Sequence, residues 1–203
     1  MHFYIEHNRG HHKNVATVED PASSRYGESL YRFYFRSVID SYLSAWNLEA
    51  KRLKKDEKKV LSLHNEMLRF QIIQLILILS IGFIFSWATV LYFIIAAIIG
   101  FLMLENVNYI EHYGLTRTKK VGTYERAKPI HSWNSNHPLS RLMLFELSRH
   151  SDHHYMASRK YQLLRHHDES PQLPTGYAGM MMLALVPPLW FNVMHKIIKD
   201  RCE

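Results

Sequence analysis

The sequence predicts an all-α protein: an integral membrane helical bundle with one transmembrane hairpin and a cytoplasmic, histidine-rich metal-binding region. Three observations lead there. Residues 70–104 are a 35-residue run without Asp, Glu, Lys, Arg or His. Basic residues crowd both ends of that run. Histidine occurs 14 times among 203 residues, and the dense groups fall in three short clusters.

The apolar run sets the topology. A bilayer core about 30 Å thick needs roughly 20 helical residues. As one straight helix the run would extend about 52 Å. It would fit only at a tilt near 55°, beyond the usual range of roughly 0–40°. Two crossings joined near Gly82–Trp87 fit better, with Trp87 at the far interface, where indole is favoured. Lys51, Arg52, Lys54, Lys55, Lys58 and Lys59 precede the run; Arg117, Lys119, Lys120, Arg126 and Lys128 follow it. Basic flanks belong on the cytoplasmic side, and an even number of crossings places both there. The same cations suit anchoring to lipid headgroups. The first twelve residues carry Glu6 and Arg9 and no apolar core, so no signal peptide is expected.

A second apolar stretch, Met180–Met194, is too short to span and is interrupted by Pro187 and Pro188. It reads as an interfacial or re-entrant segment, with a buried packing helix as the alternative. Residues 155–179 hold Pro171, Pro174, Gly176 and Gly179 and should be mostly loop. The single cysteine, Cys202, excludes a disulfide framework and any cysteine-based zinc or iron–sulfur site. The net charge of +7 flanks a membrane segment, and no nucleic-acid-binding motif accompanies it.

The clusters are Glu6-His-Asn-Arg-Gly-His-His12, Asn108-Tyr-Ile-Glu-His-Tyr-Gly114 and Arg149-His-Ser-Asp-His-His154. At about 100° per helical residue, His150, His153 and His154 share one face. His7 and His11 lie about 40° apart, while His12 points elsewhere unless Gly10 distorts the turn. Glu105, Asn108 and His112 form one stripe, which carries His112 roughly 12 Å beyond Leu104. Two crossings bring the clusters to the same side of the membrane. Imidazole suits zinc, copper, iron and nickel, and seven histidines exceed the four ligands of a structural zinc site and suit two ions. His112 alone reads equally well as a ligand or a helix-surface residue. His2, His64 and His195 read as ordinary polar positions. His131, His137, His166 and His167 read as loop histidines beside the clusters.

These boxes resemble the integral-membrane di-iron desaturases and hydroxylases, and within them the membrane-bound alkane hydroxylases. The first cluster resembles that family's second histidine box and the third its last box. The Asn-Tyr-Ile-Glu-His-Tyr-Gly-Leu segment resembles the signature that sets alkane hydroxylases apart from fatty-acid desaturases. Leu164-Arg-His166 and Pro171-Gln-Leu-Pro-Thr-Gly-Tyr177 extend the likeness, from residue 2 to about 195. The family's earlier His-x-x-x-His box, with four further membrane helices, has no counterpart here. The resemblance therefore implies a C-terminal half: residues 1–203 as a partial desaturase-like di-iron domain, with residues 70–104 as its transmembrane hairpin.

The resemblance further implies two iron ions held by His7, His11, His12, His112, His150, His153 and His154, with no catalytic residue beyond the ligands. Glu105, Asn108, Glu111, Glu146 and Asp152 are candidates to orient ligating rings by accepting their second N–H. The implied reaction is O2-dependent terminal hydroxylation of medium- or long-chain n-alkanes to 1-alkanols. Rubredoxin and its reductase would supply electrons, in the lipid of a bacterial inner membrane. A desaturase or other membrane hydroxylase, and an inactive metal-binding fragment, are the alternatives.

Overall fold

The computed structural model describes residues 2–202. They are mostly helical and divide into two compact units, Met1–Gly10 with Val38–Leu104, and His11–Ser37 with Glu105–Glu203.

The chain begins with α1 (His2–Glu6), runs through a π-helical turn, His7–His11, and ends this stretch in α2 (His12–Asn14). The turn at Gly10 departs from regular α-helix, so the regular-helix angles that turned His12 away do not apply there; widened turns of this kind are frequent at functional sites. A Cβ on Gly10 would collide with the Glu6 carboxylate, so the residue permits a close approach. Helix α3 (Leu30–Lys55) buries Leu30, Phe33, Ser37, Ser41, Ala45, Glu49 and Leu53, a three-to-four-residue spacing that makes one inward stripe.

In the first unit, Ile5, Ala45 and Met67 pack together with Trp46, Leu48 and Phe70 around them. Glu49 is fully buried and accepts from Arg9, from Arg52 and from the backbone N–H of Glu66. This binds the N-terminal segment to α3 and to the start of α4 (Glu66–Ile84). Asn65 caps α4, its side chain accepting from the Leu68 N–H at 3.2 Å. The apolar run is two helices: α4 stops at Ile84, and α5 covers Trp87–His112. The break at Phe85–Ser86 falls inside the Gly82–Trp87 joint. Ser86 caps α5 by accepting from the Thr89 N–H. Both helices are long and apolar enough to cross a membrane, and their most apolar windows are only 11% and 6% buried. A soluble core helix would be buried; these expose Leu75, Ile76, Phe83, Leu91 and Tyr92.

In the second unit, the core joins Leu30, Phe33, Tyr109, Ile110, Tyr113, Trp133, Tyr177, Met180, Ala184, Trp190 and Met194. α8 (Tyr177–Ala184) and α9 (Pro187–Cys202) supply five of these residues. The Met180–Met194 stretch thus packs one face into protein, while Met182, Val186 and Leu189 stay exposed. The break between α8 and α9 precedes Pro187 and Pro188, where the missing N–H groups are tolerated at a helix start.

The remaining elements are short. β1 (Lys119–Lys120) and β2 (Thr123–Tyr124) form a two-residue antiparallel ladder, a small departure from the all-α expectation. A 3-10 turn covers Pro129–His131, α6 covers Pro138–Met143 and α7 covers His150–Tyr155. Residues 155–179 are loop apart from Tyr155 at the end of α7, a 3-10 turn at Tyr161–Leu163 and the first turn of α8. The Asn134 segment pairs in parallel with Gln172: Asn134 N–H donates to Pro171 O at 2.7 Å and Leu173 N–H to Asn134 O at 2.8 Å.

Candidate metal centre

Four buried imidazoles of the second unit converge: His11, His112, His150 and His154. His112 ends α5, His150 and His154 sit one turn apart on α7, and His11 closes the π turn. The contacts run through one type of atom. His11 Nε2 lies 3.2 Å from His154 Nε2, His154 Nε2 lies 2.9 Å from His150 Nε2, and His150 Nε2 lies 3.1 Å from His112 Nε2. One ligand nitrogen from each ring falls within 4.8 Å of all the others.

This donor set fits a first-row metal ion. Imidazole nitrogen binds such an ion at roughly 2.1 Å, so neighbouring ligands at 90–109° are separated by about 3.0–3.4 Å. The Nε2 spacings match those polyhedron edges. Each neutral ring offers one lone pair or one proton at Nε2, and a central cation satisfies all four lone pairs together. Burial, aided by His150, His11 and His112, holds His154 well below the ordinary imidazole range.

A second pair lies alongside. The rings of His12 and His153 are 4.7 Å apart, and His12 is 4.9 Å from His154. Burial lowers both pKa values to about 4, with His153 and His11 adding to the effect at His12, and His11 at His153. His7 belongs to the first unit, where its ring stacks on Phe3 at 4.8 Å.

The proposed orienting residues behave differently from one another. Glu111 lies at the cluster: Tyr177 donates to its Oε1 at 2.9 Å, and its Oε2 is 3.3 Å from His150 Nε2. Glu105 accepts from Ser37 at 2.6 Å and from Asn108 at 3.4 Å. Glu146 sits in a left-handed turn with Phe145, before α7 rather than on it. There it pairs with Arg141 and Arg149. Asp152, on α7, accepts from Arg159, from the Arg165 N–H and from His167, all at 2.8 Å. It fastens the loop that follows α7.

Two residues were not singled out from the sequence. Asp20, in the loop after α2, lies 2.8 Å from His11 Nδ1. Tyr177 was legible only as part of a motif, without a role. Among the loop histidines, His131 accepts from the Lys128 N–H, His166 meets Asn134, and His167 meets Asp152. The basic stretch after α5 is partly structural: Arg117 donates to the Lys13 and Glu125 carbonyls, and Lys128 pairs with Glu125 at 2.6 Å.

An open cavity of about 690 Å³ leads to the cluster, lined by His12 and His154 with Lys13, Arg117, Arg126 and Tyr155 among its walls.

The sequence matches the fatty acid desaturase family over residues 1–195, and the chain belongs to that family. It is 51% identical over 198 residues to alkane 1-monooxygenase 2 of Pseudomonas aeruginosa, covering 97% of this chain and 52% of the relative. It is 48% identical over 202 residues to alkane 1-monooxygenase 2 of Alcanivorax borkumensis, covering 99% and 53%. A more distant relative, the xylene/toluene monooxygenase hydroxylase component of Pseudomonas putida, is 28% identical over 195 residues, or 95% of this chain and 51% of the relative. The chain thus spans about half the length of the curated relatives it matches.

Proposed function

We propose that this chain carries the histidine-rich metal centre of an alkane 1-monooxygenase. The reaction is terminal hydroxylation of a medium- or long-chain n-alkane: RH + O2 + 2 electrons + 2 protons give ROH + H2O. The observation that carries this reading is the convergence of four buried imidazoles in a chain about half identical to enzymes of that name.

His11, His112, His150 and His154 would hold one iron; His12 and His153 are proposed for a second. Bound iron supplies the reduction of O2 and the oxidation of the C–H bond. The protein's own part is to fix the donors. α7 presents two imidazoles from one short helix, and α5 delivers His112 from the end of an apolar helix. Tyr177 holds the Glu111 carboxylate beside His150. Burial lowers the pKa values of His12, His153 and His154, which keeps these three rings available as ligands at neutral pH.

α4 and α5 are proposed as a transmembrane hairpin in a bacterial inner membrane. Basic residues at both ends support a cytoplasmic metal centre. An apolar substrate would enter from the bilayer, with Leu102 and Met103 near its path. Rubredoxin, fed by its reductase, is the proposed electron donor. The cationic rim of Lys13, Arg117 and Arg126 around the cavity at His12 and His154 suits an acidic carrier and would speed its encounter.

A second reading is hydroxylation of a methyl group on an aromatic ring, which the relation to the xylene/toluene enzyme favours. Acyl-chain desaturation is the third. Purified protein reconstituted with iron, rubredoxin and reductase should convert dodecane to 1-dodecanol, and His153→Ala should abolish this. Benzylic alcohol from xylene without alkanol, or an alkene in an acyl chain, would assign the reaction to the other readings.

A further inference from the structure

Asp20 stands outside every histidine motif, yet its buried carboxylate meets a cluster imidazole from behind. Oδ2 lies 2.8 Å from His11 Nδ1 and accepts from Ser23 Oγ at 2.6 Å. Oδ1 accepts from the Ala22 N–H at 3.1 Å. Ser23 Oγ in turn accepts from the Ala16 N–H at 2.8 Å, so the loop fixes the carboxylate before any ligand is bound.

An ionised carboxylate only accepts hydrogen bonds. The His11–Asp20 contact therefore places the ring proton on Nδ1, which leaves the lone pair on Nε2. That atom is the one facing His154 Nε2 at 3.2 Å, inside the four-histidine cluster. Glu105, Glu146 and Asp152 are engaged by serine, asparagine, arginine or loop groups. Glu111 approaches His150 at Nε2, the face turned toward the cluster.

We propose that Asp20 is a positioning residue of the metal centre: it locks His11 in the Nδ1–H tautomer and aims Nε2 at the ion. This rests on the four-histidine cluster being a metal site. A carboxylate behind a ligating imidazole fixes ring orientation and raises ligand basicity, and its loss typically costs about 10–100-fold in metal affinity.

The test is Co(II) titration of the full chain, purified metal-free in detergent and read by its visible ligand-field bands. Asp20→Asn should weaken binding about 10–100-fold and alter the bands, with unchanged helical circular dichroism. Ser23→Ala keeps the Asp20–His11 contact and should bind close to wild type. Asp20→Glu should recover part of the affinity. Asp40→Asn, at an exposed acid, is the control. Wild-type affinity and bands in Asp20→Asn would overturn the proposal. Equal weakening in Asp20→Asn and Ser23→Ala would also overturn it, because Asp20 would then serve only to staple the loop. If wild type and His154→Ala bound Co(II) identically, the metal-centre reading itself would fall. A further measurement needs no substitution at Asp20. In 15N-histidine-labelled, metal-free protein, the ring signals lost in His11→Gln should report a proton on Nδ1. A proton on Nε2 would overturn the proposal.

Discussion

Tyr177 donates to Glu111 at 2.9 Å across 66 residues of sequence, and both side chains are buried. The bond joins the first turn of α8 to the last turn of α5, one residue before His112. Its partner oxygen, at 3.3 Å from His150 Nε2, links the pair to the histidine cluster. Removing the hydroxyl strands a buried carboxyl group, which costs about 1–3 kcal/mol. Tyr177→Phe should therefore lower the thermal midpoint and release metal faster to a chelator. A Tyr177→Phe protein with wild-type melting and metal retention would show that the bond is incidental.

Gly10 lets the Glu6 carboxylate pass where a side chain would otherwise stand. Glu6 is buried and also accepts from Ser44 at 2.7 Å, so it cannot withdraw cheaply. Gly10→Ala should disturb the π turn and with it metal loading, while Gly122→Ala, in an open hairpin turn, should not affect metal content. Metal per chain, measured after gel filtration, separates the two.

Acid should loosen the first unit through Glu49. Arg52 holds its carboxyl at about 2, against an ordinary value of 4.5, with help from the Glu66 N–H and Arg9. The folded form thus resists protonation more than the unfolded form does. The stabilisation is complete above about pH 4.5 and is lost as pH falls toward 2. Thermal midpoints between pH 6 and pH 2.5 should fall for wild type. They should start lower and change less for Glu49→Gln; parallel curves would contradict this.

Asp152 carries three hydrogen bonds to the segment after α7, including an ion pair with Arg159. Asp152→Asn leaves the part-buried Arg159 guanidinium without its counter-charge, and a hydrogen bond to a charged group is worth about 1.5–3 kcal/mol. Trypsin should cut the variant sooner at Arg159, Lys160 or Arg165. Cleavage at the wild-type rate would mean the loop is held by other contacts.

The parts of the site that follow helical periodicity were legible in the sequence. Three histidines at 150, 153 and 154 share a face because of the angle per residue, and α7 is a helix over just that span. The two apolar helices and their joint were legible because a straight run of that length does not fit a bilayer. Asp20 was not legible. It reaches His11 through an irregular loop, where spacing says nothing about direction. Nor was the pairing of Asn134 with Gln172, which depends on two loops meeting. Glu146 looked suitable only on the assumption that α7 begins a turn earlier. The left-handed backbone at Phe145 and Glu146 ends that assumption. For Met180–Met194, an apolar pattern alone does not distinguish lipid from protein as the covering medium, and α8 and α9 bury one face in the core while exposing the other.

His11, His112, His150 and His154 are proposed to hold a metal ion. Iron should be measured per chain after anaerobic loading with Fe(II) and gel filtration, in wild type and in His154→Ala, which removes the ring that faces both His11 and His150. Near-stoichiometric iron is expected in wild type, with the loss of at least one iron per chain in the variant and helical content retained. Equal iron in the two proteins would contradict this assignment.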